Sequence, residues 1–404
     1  MYIDIDLEHA DLMNDIVMPL AVLLIYFPTC LSYYAPGLVS GIYLAQKLIF
    51  LICALMFLRL QLFKNKNFYL MFSYLLWIIV VTYVNGDTVP EWGSYLNLFS
   101  IYVVSIYCLE TNPVKYTGFF SFVLTLLLLF NTLLWQDGGM YQNANGQYCF
   151  VLGTKTSMTE YQIAACCFIW AYHTLLPKGG KRKATILYGI LLFSIILWNI
   201  RQPVTTSILC IIAFTVLIVI QKIEIKIVDV VLKLGFWVLL IFNIAVVFFN
   251  VQIYFANFIT NILHESTDLN SRTPIWQVVL RYIYDRPWIG YGVNSNTYFS
   301  FDTGTSSYNQ ATHNGLLYFL FVGGIIGTVL IFILCYFSMK KSDVSSTIGR
   351  IVHISMICFG ILWVSEQLKG YTLFFPVVLV GFCASAIIAH TERPYIDEEA
   401  DYIN

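Results

Sequence analysis

The sequence predicts an all-α, polytopic transmembrane protein of about twelve spans, with one large extracytoplasmic loop between the ninth and tenth. Two observations carry this. Of 404 residues, 59% are apolar and only 11% charged, and the mean hydropathy is +0.74. A soluble domain carries roughly 25% charged residues, so an ordinary water-soluble enzyme is excluded. Lys plus Arg (22) and Asp plus Glu (23) nearly cancel, which leaves no basic field for DNA or RNA. No nucleic-acid partner is expected.

Apolar runs of spanning length fall at about 16–34, 39–60, 68–84, 93–109, 116–135, 159–176, 184–200, 204–220, 228–249, 313–337, 351–368 and 371–389. Each approaches the ~20 residues that a helix needs to cross hydrocarbon. Runs such as 23–27 and 125–130 do not alternate apolar with polar residues, as the strands of a membrane barrel would. The chain therefore divides into helices 1–9 (1–249), a loop (250–312), helices 10–12 (313–390) and a tail (391–404). With the N-terminus placed in the cytoplasm, inward loops and ends hold 14 Lys and Arg and the outward side 6. The positive-inside rule selects this orientation, with both termini and the tail cytoplasmic. The acidic N-terminal stretch (Asp4, Asp6, Glu8, Asp11, Asp15) lacks the basic region of a signal peptide, so the first span is expected to be retained.

The ten cysteines are scattered, and all but Cys149 lie inside apolar runs. No disulfide framework or zinc spacing can be built from them. Two outward connections stand out. In the long one, Thr273-Pro274 opens a short helix to about Asp285, with Pro in its first turn. Ile275, Val279, Tyr282 and Ile283 share one of its faces, as suits an amphipathic helix at a membrane surface. The segment 136–158 is rich in Gly, Asn and Gln. Its amides and tyrosines could serve a sugar-binding surface, but a solvated connection is the reading that loops in general favour.

No Walker loop, HExxH, GxSxG or dinucleotide fingerprint occurs, so the common soluble-enzyme motifs are excluded. The informative groups are ionisable residues at the outer boundary, where a charge near hydrocarbon needs a partner or a task. Arg201 stands before Pro203 at a tight outward hairpin and by itself reads as an interfacial anchor. Arg272 precedes the loop helix, where a guanidinium and free backbone N–H groups together suit a phosphate. Arg281 and Arg286 follow it, as helix-face residues or partners of Asp285. His313 opens span ten beside Asn314, and alone it would be a capping or interface residue. Gly315, Gly323, Gly324 and Gly327 follow and permit close helix approach. Glu366, at the outer end of span eleven, is a reserve candidate that could pair with Lys369 or a loop arginine.

These residues resemble a family. His313-Asn314, nine residues, Gly324, two residues and Gly327, closing an outward loop with arginines, is similar to the O-antigen ligase and O-antigen polymerase (Wzy-type) superfamily. The upstream SRTPIW (271–276) and RPWIGYG (286–292) resemble that superfamily's Arg and Pro-x-x-Gly-x-Gly segment. Arg201 occupies the place of its earlier arginine, although NIRQP departs from the commoner Ser-Arg-Gly. The resemblance covers about 200–337. It implies an enzyme of the bacterial cytoplasmic membrane that needs no cofactor, metal or nucleotide sugar. Its partners would be membrane lipid, an undecaprenyl-diphosphate-linked oligosaccharide and, in a polymerase, a chain-length regulator. It further implies that Arg201 and Arg272 hold the diphosphate and that His313 assists glycosyl transfer, with Arg281, Arg286, Asn314 and Glu366 around the substrate.

Chemistry is compatible with this. Breaking a sugar–diphosphate bond develops negative charge that guanidiniums neutralise, and a histidine can take or position the acceptor's proton. The first expectation is a polymerase of surface polysaccharide repeat units, for O-antigen or capsule. A ligase moving finished glycan to a lipid A core is the alternative within the family. A transporter or flippase is the alternative of another class, for which Lys47, within a span, would be the residue to watch.

Overall fold

The computed structural model describes residues 12–85, 92–143, 146–221, 226–261, 272–293, 299–302, 307–310, 312–368 and 371–392. Lys369, the loop landmark His264 and the tail from 393 lie outside these residues. A helix occupies each expected span: α1 (Met13–Ile25), α2 (Pro36–Arg59), α3 (Lys66–Val84), α4 (Trp92–Thr111), α5 (Pro113–Leu133), α6 (Met158–Leu175), α7 (Lys181–Arg201), α8 (Thr205–Ile220) and α9 (Lys226–Phe249). The loop helix α10 (Arg272–Asp285) follows, then α11 (Gly315–Lys341), α12 (Thr347–Ser365), α13 (Tyr371–Phe382) and α14 (Ala384–Glu392).

The protein is an all-α polytopic membrane protein, and length and composition mark fewer of its helices as spans than the twelve expected. Among the described residues seven helices are long and apolar enough to cross, or eight if α13 and α14, bent by 62°, make one span. The difference has a physical origin. α1 and α8 are short, the first expected span stopping at Ile25 before Pro28. α4 and α6 have the length, 20 and 18 residues, but trade apolar residues for buried polar ones such as Ser100, Ser105, Glu160 and Gln162. Both are enclosed by other helices, with 101–109 and 162–169 buried without interruption. α2 packs on α4 and α7 on α6, and these two with α9 present Leu44, Leu48, Leu55, Ile196, Val238 and Ile241 outward, as lipid-facing surfaces must.

Bonds between helix ends define two poles. At one, Asn65 donates to Glu110 at 2.9 Å, Asn14 to Thr111 at 3.3 Å and Arg350 to Asp229 at 3.1 Å, while Lys115 pairs with Asp15. Arg59, Lys66, Lys181 and Lys340 end or begin helices there. The other pole gathers the opposite helix ends and the long connections. There, 136–158 is no solvated connection. It folds as an antiparallel meander, β1 (Tyr141–Gln142), β2 (Tyr148–Phe150) and β3 (Gly153–Thr154). Cys149, Phe150, Val151 and Leu152 are buried in it, held because Leu152 N–H donates to Asn131 Oδ1 and Cys30 N–H to the Val151 carbonyl. All ten cysteines are free and buried.

α10 also departs from the expected geometry. Its buried side chains are Trp276, Val279 and Ile283, whereas Tyr282 is exposed and Ile275 only partly covered. The apolar stripe is turned into the protein, because Trp276 Nε1 donates to the Thr312 carbonyl at 3.1 Å and a tryptophan N–H buried here needs an acceptor. A two-stranded hairpin, β4 (Phe299–Asp302) and β5 (Ser307–Gln310), stands between α10 and α11 in the chain.

Candidate functional site

The site is built where α11 begins and α12 ends. Asn314 caps α11, its Oδ1 accepting from Leu317 N–H at 3.0 Å, the usual device for an orphaned first-turn donor. Its side-chain amide donates to Asn243 Oδ1 of α9 at 2.7 Å and to the Val364 carbonyl at 3.0 Å. Asn243 in turn donates to the Trp363 carbonyl at 3.0 Å. On the other side of His313, the Thr312 N–H and hydroxyl donate to Gln367 Oε1 at 3.1 and 3.0 Å. Gly315 lets α11 seat on α12, since a Cβ there would lie 2.5 Å from Trp363 Cγ. His313 is thus held between two fully buried residues and adopts φ +47°, a left-handed conformation uncommon outside Gly and Asn.

That backbone aims His313 at Glu366. Its Nδ1 lies 3.8 Å from Glu366 Oε2, and Arg272 Nη2 donates to Glu366 Oε1 at 2.7 Å. The carboxylate is buried, while the side chains of Arg272 and His313 are 23% and 24% exposed. The guanidinium and imidazole therefore share one anion and retain access to a substrate. The carboxylate holds the guanidinium by a charge-assisted bond. Of the two partners expected for Glu366, the loop arginine pairs with it among the described residues.

The other expected site residues lie elsewhere. Arg201 donates to the Thr132 carbonyl at 2.6 Å and stands over the Trp135 ring, an anchoring environment rather than contact with the Arg272–Glu366–His313 cluster. It belongs to the same pole, because Thr206 and Ser365, the latter adjacent to Glu366, share a hydroxyl hydrogen bond of 2.7 Å. Arg281 is exposed. Arg286 does not bond Asp285 but Asn85, which caps the end of α3, and its guanidinium lies 4.8 Å over the Tyr291 ring. Asn314 is wholly buried and spends its amide on the scaffold. Asn243, Thr312 and Gln367 were missed by sequence reasoning. Asn243, an amide inside the apolar run 234–249, is the one that carried a signal, since a polar group in a span needs a partner.

The glycines of the two resembling segments meet. α11 is broken at Gly324, φ +62° and ψ −166°, and segment 286–292 fills the break. Tyr291 and Gly292 N–H donate to the Phe321 and Val322 carbonyls at 2.7 and 2.8 Å, and Ile325 N–H donates to the Pro287 carbonyl at 2.8 Å. A Cβ on Gly290 would lie 2.6 Å from Gly324 N, and one on Gly324 2.3 Å from Trp288 C and O. Gly324 is thus not a residue of helix–helix approach, as expected from sequence, but the seat of the loop. Gly323 and Gly327 do allow approach, to Trp77. This interlock fixes where α10 ends, and so the arc along which Arg272 is delivered.

Among the described residues no group of three or more His, Cys, Asp or Glu could hold a metal ion. A comparison with curated proteins finds no match. Residues 168–332 match the family described as O-antigen ligase, a stretch that contains Arg201, Arg272, the interlock and His313. Over this stretch, less than half of the chain, the protein is similar to the O-antigen ligase family.

Proposed function

We propose that the protein is a metal-independent glycosyltransferase that polymerises surface polysaccharide repeat units, taking glycan from an undecaprenyl-diphosphate donor to a second lipid-linked unit. The observation that carries this reading is the Arg272–Glu366–His313 cluster, which couples a permanent cation to a titratable base through one buried carboxylate. The acceptor hydroxyl gives its proton to His313 as its oxygen attacks the anomeric carbon. The anomeric C–O bond breaks, and its electron pair leaves with the diphosphate, whose growing charge Arg272 neutralises. Glu366 steadies the imidazolium that forms. The pole rich in basic helix ends faces the cytoplasm by the positive-inside rule, which puts this cluster and both termini on opposite sides of a bacterial cytoplasmic membrane. Arg201 would then serve the edge of the donor site.

The second reading is a ligase transferring finished glycan to a lipid A core or another acceptor, favoured by the description of the matching family. Expression of Arg272→Ala and His313→Ala in a strain lacking the gene, with surface glycan resolved on a gel, separates them. Loss of the long-chain ladder with single-unit product retained is expected. Loss of all core-attached glycan assigns the ligase, and a normal ladder rejects both.

A further inference from the structure

Two cavities meet across the first turns of α4. One, of about 280 Å³, is lined by Tyr74, Tyr95, Tyr318, Tyr371, Ser94 and Asn97 among others, with no charged residue among the described ones. Tyr74 and Tyr371 share a hydroxyl hydrogen bond of 2.8 Å. The second, of about 450 Å³, lies between α2 and α4 and shares Ser94 and Asn97 with the first. Its one cation among the described lining is Lys47, the twelfth residue of the 24 in α2. Lys47 is exposed and makes no hydrogen bond or ion pair among the described residues. A lysine deep in a span costs roughly 2.5 to 3.5 kcal/mol on insertion scales, so a task for it is the default expectation.

The lining chemistry differs between the two cavities. The first offers tyrosine rings and hydroxyls without charge, which suits a neutral polyhydroxyl ligand; its volume lies near the lower bound of small-molecule sites, roughly 300 Å³, room for about one sugar unit. The second offers an ammonium beside an amide and a hydroxyl, which suits a phosphate on a lipid. The tyrosine cavity also adjoins the reacting pole. Tyr318 stands five residues beyond His313, Tyr371 five beyond Glu366, and Val293, another lining residue, directly follows the interlocked segment.

We propose that these joined cavities are the acceptor site, with Lys47 holding the phosphate of a lipid-linked glycan and the tyrosine cavity its terminal neutral sugar. This rests on the polymerase reading above, in which the acceptor is itself lipid-linked. The test uses the full chain in phosphatidylcholine nanodiscs, titrated with undecaprenyl diphosphate carrying one hexose, with bound copies counted by native mass spectrometry. Wild type and His313→Ala are expected to bind two copies. Lys47→Met should weaken one binding event at least tenfold, with Lys47→Arg restoring it. Tyr95→Phe with Asn97→Ala should reduce the preference for the glycosylated lipid over bare undecaprenyl diphosphate. Two copies on Lys47→Met, or a Lys47-dependent event that phosphatidylglycerol fills equally well, overturns the proposal. A single, Arg272-dependent copy on wild type removes the acceptor site and leaves the donor reading standing. No binding to wild type removes both.

Discussion

Glu366 organises Arg272 and His313, because its buried carboxylate lies 2.7 Å from the one and 3.8 Å from the other. Glu366→Gln retains an acceptor for Arg272 but removes the negative charge that the proposed mechanism sets beside the imidazolium formed on proton transfer. Turnover is expected to fall about 100-fold or more, the lower range for a disabled acid–base group, while the protein unfolds within a few degrees of wild type in detergent. Equal activity in this variant would remove Glu366 from the chemistry. His313 gives an independent check, since its φ of +47° costs a side-chain-bearing residue about 1–2 kcal/mol. His313→Gly should fold within about 1 kcal/mol of wild type yet be inactive, whereas His313→Val should lose stability as well. At this scale the cations were legible in the sequence, as charges at the edge of apolar runs. Their convergence was not, because 94 residues separate Arg272 from Glu366 and the packing of both α10 and α12 on α11 brings the two together. Arg201 read equally well as a site residue, and the carbonyl and ring that hold it come from the last turn of α5 and the residues just past it, which no local pattern could name.

At the scale of elements, the break in α11 and the segment that fills it form one unit. The sequence displays both glycine groups, but a run of glycines in a span reads as helix approach until a backbone is found against it. Here the obstacle to a side chain is main chain on both sides, which cannot swing away. Gly324→Ala and Gly290→Ala should therefore lose about 3 kcal/mol or more, the range of backbone strain combined with overpacking. Gly189→Ala in α7, where nothing lies within 4 Å of an added Cβ, should be neutral or stabilising by up to about 1 kcal/mol. Thermal unfolding of the three purified variants in one detergent checks the contrast. If Gly324→Ala matches Gly189→Ala, the interlock does not hold the loop. The amphipathic pattern of α10 gives a complementary lesson: its apolar stripe is real, but a stripe alone does not say whether lipid or protein covers it, and the buried indole N–H of Trp276 resolves the matter in favour of protein.

At the scale of the whole molecule, the positions of the helices were legible because apolar length is a direct consequence of hydrocarbon thickness. Which helices are apolar enough to count as spans was not, because α4 and α6 are enclosed by other helices and can carry serines, amides and a glutamate at no cost to lipid contact. The proposed sidedness, basic helix ends inward and the Arg272–Glu366–His313 pole outward, is open to direct measurement because all ten cysteines are buried. A membrane-impermeant maleimide should leave the native chain unlabelled in intact cells. Asp137→Cys, exposed beside the small sheet, should be labelled from outside. Lys178→Cys, exposed in the turn between α6 and α7, should be labelled only after the membrane is permeabilised. The reverse pattern would put the cluster in the cytosol, where a donor glycan presented at the outer leaflet cannot reach it. In that case the geometry of Glu366 with its two partners would stand, but its use in polymerisation would not.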